Sequence, residues 1–301
     1  MANFVKDLSY SAEKHAVSAM ADRIMKNIEK ADTYEERAEV YGKLVDLAAK
    51  FYKDFSKEQA EAVHAYVANP ENRWMKTINQ ILDNTNPEYG RKFLMSLGYE
   101  AFFRGTKQIR ESREKYHCNI PWLILFDPTM ACNMHCKGCW SGTYGRKSSL
   151  TYEEMDKIVT EGKELGVHLY MCTGGEPMVK WNEIARLAEK HDDCFFALYS
   201  NSTLITEEVC RQVQKLGNVT FMLSIEGTPD TNDARRGEGH YAAAMHAMDL
   251  LKEYGIIFGT SICYTRDNIE AVTSDEFLRM LADKGAHFGF YFHFMPVGNN
   301  A

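Results

Sequence analysis

The chain has 301 residues, 45% of them hydrophobic and 26% charged, with a formal net charge of −7. Such a composition fits a globular protein with one large domain or two smaller ones, and the acidic balance argues against a broad basic footprint for a nucleic-acid backbone. The first residues lack the apolar stretch of a secretory signal, and runs such as "PWLILF" are too short to span a bilayer, so a cytoplasmic protein with no membrane span and no nucleic-acid partner is expected.

Residues 1–115 read as a helical N-terminal domain. "SAEKHAVSAMADRIMKNIEKAD" and "TYEERAEVYGKLVDLAAKFYKDF" are rich in Ala, Glu, Lys and Leu, and Tyr41, Leu44, Val45, Ala48 and Phe51 recur along one helical face. Thr33 and Ser56 are expected N-caps, and Pro70 and Pro87 punctuate two further helical stretches. No catalytic motif stands here, so a packing or recognition module is expected.

At Pro121 the texture changes, and residues 116–301 are expected to form a second domain. Six short apolar runs follow: "WLILFDP", "HLYMCTGG", "CFFALYSN", "NVTFMLSIE", "IIFGTSICYT" and "HFGFYFHFMP". Five helical segments separate them. The first, "SLTYEEMDKIVTEGKELG", opens on a capping box of Thr151 and Glu154; another is capped by Thr206 and stopped by Gly217. Strands buried on both faces, alternating with helices, predict parallel pairing with right-handed crossovers. The expected fold is α/β, a partial (β/α)6 TIM-like barrel beside the helical domain. Polar and Gly-rich clusters recur where strands end, which is where the active-site loops of such a barrel converge. A chain ending at Ala301, just past the sixth strand, is expected to be truncated at its C-terminus unless the N-terminal helices close the structure.

Of eight cysteines, Cys118, Cys172, Cys194, Cys210 and Cys263 stand singly and are expected as small buried hydrophobes. Cys132, Cys136 and Cys139 form a C-x3-C-x2-C loop. Thiolates suit zinc and iron–sulfur clusters, and three of them leave one position open on a cubane that ordinarily takes four. A zinc site completed by His135 or Cys118 is the alternative, although no second C-x2-C pair is present.

Such a loop after a first barrel strand, followed by "TGGEP" after the second, resembles the radical S-adenosylmethionine (SAM) superfamily over about Pro121 to Ala301. The resemblance implies that Cys132, Cys136 and Cys139 hold three irons of a [4Fe–4S] cluster whose fourth iron chelates SAM. It implies that the carbonyls of Gly174 and Gly175, with Glu176, take the SAM amino group. Ser200 and Asn201 would contact ribose or carboxylate, Ser224 and Glu226 the ribose hydroxyls, and Arg236 the SAM carboxylate, with Arg235 competing and Asp233 orienting the loop. Ile262 and the stretch "FMPVG" would meet adenine, and Trp140 would shield the cluster. His168, Tyr170, Tyr199, Cys263 and His293 are candidates to line a cavity. One departure is visible: Lys137 and Gly138 fill the gap before the third Cys, where many members carry an aromatic for adenine.

The function implied is reductive cleavage of SAM to a 5′-deoxyadenosyl radical that takes hydrogen from an unidentified substrate, with a reductant protein such as ferredoxin or flavodoxin as partner. The alternative is an iron–sulfur electron-transfer or cluster-carrying protein that never cleaves SAM. Auxiliary clusters, where relatives have them, would lie beyond Ala301.

Overall fold

A computed structural model describes residues 2–51 and 56–296. The chain divides into two compact units, Met1–Pro87 and Glu88–Ala301. The first is helical: α1 (Ala2–Glu29), α2 (Tyr34–Phe51), α3 (Lys57–Val67) and α4 (Arg73–Asn84). Ser56 caps α3 in a full capping box with Gln59, and Thr33 Oγ1 accepts from Glu36 N at 3.2 Å. Ile28, Val40, Tyr41 and Met75 form its core, with Leu44 packed against them. The side chains of Ala48 and Phe51, expected on the same stripe, lie outside the described residues.

The second unit opens with α5 (Pro87–Phe93), a π-helix (Leu94–Gly105) and α6 (Thr106–Tyr116). The compositional change near residue 115 and the packing division at Pro87 therefore do not coincide. Tyr89 is wholly buried and its hydroxyl donates to the Val219 carbonyl at 3.0 Å; Phe93 meets Phe195 edge-on at 4.9 Å. Composition marks where helix gives way to strand, whereas packing decides which helices belong with the sheet.

The sheet follows as β1 (Ile124–Thr129), β2 (Leu169–Gly174), β3 (Phe195–Ser200), β4 (Val219–Ser224), β5 (Phe258–Tyr264) and β6 (Phe288–His293). The six strands pair in sequence order and every pairing is parallel, as the alternating pattern predicts. Between them run α7 (Tyr152–Leu165), α8 (Trp181–Lys190), α9 (Glu207–Leu216), α10 (Pro229–Arg236), α11 (His240–Glu253), α12 (Ile269–Val272) and α13 (Asp275–Asp283). Two of these, α10 and α12, fall outside the five expected helical segments. The start signal of α10 was present in the sequence: Thr228 caps it and Pro229 follows in the first turn. Its polar composition hid the rest.

Alternate residues of each strand face opposite ways. Tyr170, Cys172, Phe196, Leu198, Phe221, Leu223, Phe258 and Ile262 pack under the outer helices in the main core. Leu169, Phe195, Ala197 and Met222 face inward and meet Phe93, Leu97 and Ala101 of α5 and the π-helix. These helical residues plug the inner face near the strand starts, leaving the C-terminal strand ends for the site. Strand β6 is exposed at all six positions, with Phe288, Phe290 and Phe292 on its inner face. Among the described residues, no helix is long and apolar enough to cross a membrane.

Candidate active site

The thiol loop is laid down by backbone. Beyond β1, Met130 N donates to Ser148 O and Leu150 N to Pro128 O, closing the base of the loop at 2.8 and 3.0 Å. Gly175 N donates to Thr129 O and Glu176 N to Ala131 O, both at 2.8 Å, so the turn after β2 is stitched to the loop just before Cys132. Arg146 Nη1 holds the Cys132 carbonyl at 2.8 Å, and Lys137 N donates to Arg235 O at 2.8 Å. The three cysteines are reduced and partly exposed. Burial raises the Cys136 thiol pKa, against the pull of the Arg236 and Arg235 charges.

The Gly-Gly pair does something more local than opening space for a ligand. A Cβ at Gly174 would lie 2.5 Å from Thr129 O, and one at Gly175 would lie 2.2 Å from Ala131 O. Gly174 also has φ near +100°. The glycines let the end of β2 lie directly on the thiol loop.

Glu176 is almost wholly buried, and both of its oxygens are engaged. Oε1 accepts from Ser200 Oγ at 2.9 Å and Met178 N at 3.1 Å; Oε2 accepts from Asn201 N at 2.6 Å. Burial pushes its pKa up to about 7, against these donors. It therefore ties β2 to β3 rather than standing open. Asn201 continues the chain of contacts: its side-chain amide donates to Asn133 Oδ1 at 2.8 Å and lies 3.9 Å from Cys132 Sγ.

On the far side, Glu226 has no exposed surface. Its Oε1 accepts from Arg235 Nη1 at 2.5 Å and from Arg236 Nε and Nη2 at 3.0 and 2.7 Å, while its Oε2 has no partner. Two residues expected to hold different parts of SAM, Glu226 and Arg236, are thus paired with each other, and Arg235 joins them. Ser224 sits on the inner face in register with Ser261. Asp233 orients its loop as expected, accepting from Gly239 N and Tyr241 N at 2.8 Å each. Ile262 is wholly buried under the outer helices and cannot meet adenine; its place in the register turns it outward. Of "FMPVG", Phe294, Met295 and Pro296 are described, while Val297 and Gly298 lie outside the described residues.

Sequence reasoning missed His240. Asn232 Nδ2 donates to its Nδ1 at 2.9 Å, so its Nε2–H donates to Asn201 O at 3.0 Å, clasping β3 to α11; burial lowers its pKa to about 4. A lone buried His carries no sequence signal. Among the cavity candidates, Tyr199 faces inward beside Phe290 and Phe292 at 6.3 and 5.9 Å, and Cys263 is in register with Phe292. Tyr170 is core. His168 packs at the opposite end of the strands. Of the lone cysteines, Cys172, Cys194 and Cys210 are buried as expected, but Cys118 is exposed and Cys263 is partly exposed.

Among the described residues, the group whose donor atoms converge within 4.8 Å is His168, Asp193 and Cys194, not the three loop thiols with His135 or Cys118. That triad is structural. Arg104 Nη1, which can only donate, lies 3.3 Å from His168 Nε2, so Nδ1–H donates to Asp193 O at 2.8 Å and both ring nitrogens are engaged. Lys163 neutralises Asp193 at 2.6 Å.

The Radical SAM superfamily model matches residues 127–282, from β1 to α13. The chain belongs to the radical SAM superfamily. An uncharacterized protein of Archaeoglobus fulgidus is 30% identical over 159 residues, covering 52% of this chain and 38% of that one. Mycofactocin maturase MftC of Mycolicibacterium smegmatis is 28% identical, covering 56% and 43%. Streptococcus suis SuiB bound to S-adenosylmethionine shares the fold at a TM-score of 0.55 and 17% identity, covering 66% of this chain and 47% of that one. The radical SAM chain thus spans less than half the length of these two curated relatives.

The residues present fit a three-thiolate cluster with one open iron. The donors are soft, among the described residues no fourth protein ligand joins them, and two guanidinium groups close to Cys136 suit an anionic cluster. Beside them, the unpartnered Glu226 Oε2 is a buried acceptor without a donor, and such an atom ordinarily has one.

Proposed function

We propose that the protein is a radical SAM enzyme whose Cys132, Cys136 and Cys139 hold a [4Fe–4S] cluster and whose strand ends hold SAM. When bound, that pair supplies reductive C–S cleavage and a 5′-deoxyadenosyl radical that takes hydrogen from a substrate carbon; the protein contributes placement and exclusion of water. The observation that carries this reading is the direct stitching of the thiol loop to the Gly174–Gly175 turn, beside the unpartnered Glu226 carboxylate oxygen.

The roles follow from what each group can still do. Gly174 and Gly175 fix the loop and offer carbonyls to an ammonium group. Glu176, spent on Ser200 and Asn201, acts as a positioning residue for β3. Glu226 Oε2 would accept a ribose hydroxyl, with Ser224 nearby. Arg235 and Arg236 pair with Glu226 and would offset the charge of the cluster. The inner-face aromatics Tyr199, Phe290 and Phe292 would border the substrate. A low-potential ferredoxin or flavodoxin in the cytoplasm is the reductant this chemistry would use.

Anaerobic reconstitution with iron and sulfide, followed by dithionite and SAM, tests it. 5′-Deoxyadenosine above the level of a Cys132→Ala control is expected. Its absence from a preparation that carries iron and sulfide would sink the reading, and SAM binding without cleavage would leave a cluster carrier instead.

A further inference from the structure

The inner wall of the sheet carries almost no charge. Phe126 of β1 packs under the outer helices, so Leu125 and Asp127 on either side of it turn inward. Asp127 is half-buried at the strand end, close to the turn stitched to the thiol loop: a Cβ on Gly174 would lie 2.9 Å from its own. Its Oδ1 accepts from Thr173 Oγ1 of β2 at 2.5 Å. Among the described residues, nothing donates to Oδ2, and no Lys, Arg or His pairs with this carboxylate. The inward positions of the other five strands hold Leu, Met, Thr, Phe, Ala, Tyr, Ser, Gly and Cys. Asp127 is thus the one charged strand residue that faces this space among the described residues. The space is open, since Leu125 is more than half exposed. Its opposite side is aromatic: Tyr199 of β3 stands 6.3 and 5.9 Å from Phe290 and Phe292 of β6.

We propose that Asp127 is a binding residue for the substrate, and that the substrate carries a protonated amine. The inference rests on the proposed function and deepens it by naming a substrate class. Three observations converge. The bond from Thr173 uses one acceptor position of a carboxylate that has about four, so bracing β1 against β2 leaves Oδ2 unspent. A carboxylate drawn partly out of water between apolar walls is unfavourable unless a cation or further donors meet it, and no side chain of the described residues does so. Lastly, the rings of Tyr199, Phe290 and Phe292 offer π-faces that attract a cation, so carboxylate and rings together favour an ammonium group over a neutral or anionic one. The place suits the chemistry. An ammonium held at the end of β1 would fix the attached carbon skeleton at the strand ends where the radical would form, and such positioning converts binding into rate. Asp127 has on this account no part in holding SAM, whose own amino group is assigned to the backbone carbonyls of Gly174 and Gly175.

The test compares a charged probe with its uncharged counterpart. Cluster-loaded wild type, Asp127→Asn and Asp127→Ser, each saturated with SAM and kept free of reductant and oxygen, are titrated by ligand-observed NMR. The probes are phenethylamine, protonated near neutral pH, and phenethyl alcohol. SAM affinity and iron per chain are measured on the same preparations. A hydrogen bond between charged groups changes affinity about 10- to 150-fold, and partial exposure places this one at the lower end, about 10-fold. Wild type is expected to bind the amine about 10-fold more tightly than the alcohol. Both variants should lose that preference while keeping wild-type affinity for the alcohol and for SAM, and wild-type iron. Equal affinity of wild type for the two probes, or binding of neither, would overturn the inference with no variant needed. A preference that survives in Asp127→Asn would overturn it too, because another group would hold the cation. A fall in SAM affinity or iron in both variants would make the carboxylate a support for the cofactor site and not a substrate contact. Each of these results leaves the enzyme reading standing. If wild type does not bind SAM, the proposed function itself falls and takes this inference with it.

Discussion

Replacing Gly175 with alanine is predicted to unseat the thiol loop. The new Cβ would lie 2.2 Å from Ala131 O, 2.5 Å from Met130 O and 2.6 Å from Met130 C. Carbon–oxygen contacts settle at about 3.3 Å or more, so backbone must move by roughly an ångström. All three obstructing atoms are main-chain, and none can rotate away. Ala131 O also accepts from Glu176 N, and Thr129 O from Gly175 N itself, so the movement strains two hydrogen bonds. Overpacking costs about 1–3 kcal/mol and a weakened hydrogen bond about 1 kcal/mol, giving roughly 2–4 kcal/mol. For a unit of this size that is a fall in Tm of about 5–15 °C. Thermal unfolding followed by circular dichroism, with iron per chain after reconstitution, is the assay. Gly142→Ala is the control: its nearest neighbour would be Cys139 Cβ at 4.0 Å, an ordinary contact, and both readouts should stay at the wild-type level. A Gly175→Ala protein with wild-type Tm and wild-type iron would refute the claim that these glycines exist to bring β2 onto the loop.

Other consequences can be measured separately. Glu176 has a folded pKa of about 7 against an ordinary 4.5, so its contribution to stability is fully present below pH 4.5 and is lost as pH rises through 7; the amplitude is about 3 kcal/mol. Urea midpoints across that window should flatten in Glu176→Gln, and parallel profiles for the two proteins would contradict the assignment. Glu226→Ala strips the counter-charge from two guanidinium groups that are only 18% and 11% exposed. A loss of about 3–5 kcal/mol in denaturant unfolding is expected, well beyond that of an exposed pair. His168→Ala should leave the stoichiometry of zinc bound by the cluster-free protein unchanged, because both of its ring nitrogens are committed to Arg104 and Asp193; a lost equivalent in equilibrium dialysis would make the triad a metal site after all.

The amino-acid sequence by itself determined the parallel α/β core, and it singled out the three thiols of one loop. Both are written in local terms: alternating apolar runs and helical stripes for the one, ligand spacing within a single loop for the other. The capping boxes at Ser56 and Thr151 and the stop at Gly217 are equally local, and they stand where the sequence put them. What the sequence could not decide are relations between residues far apart along the chain. The attachment of residues 88–116 to the sheet depends on Tyr89 reaching Val219, which no composition reveals. Glu226, Arg235 and Arg236 were each legible as polar groups at a strand end, but their mutual pairing is a matter of how α10 folds back over β4. Glu176 is expected as a ligand from the sequence, and only the folded chain shows Ser200 and Asn201 brought to its two oxygens. The same holds for Asp127. The sequence shows only an acidic residue in the first apolar run; tertiary structure alone sets it beside Thr173 on an otherwise uncharged inner wall, since side-chain neighbours are set by packing in three dimensions and not by position along the chain.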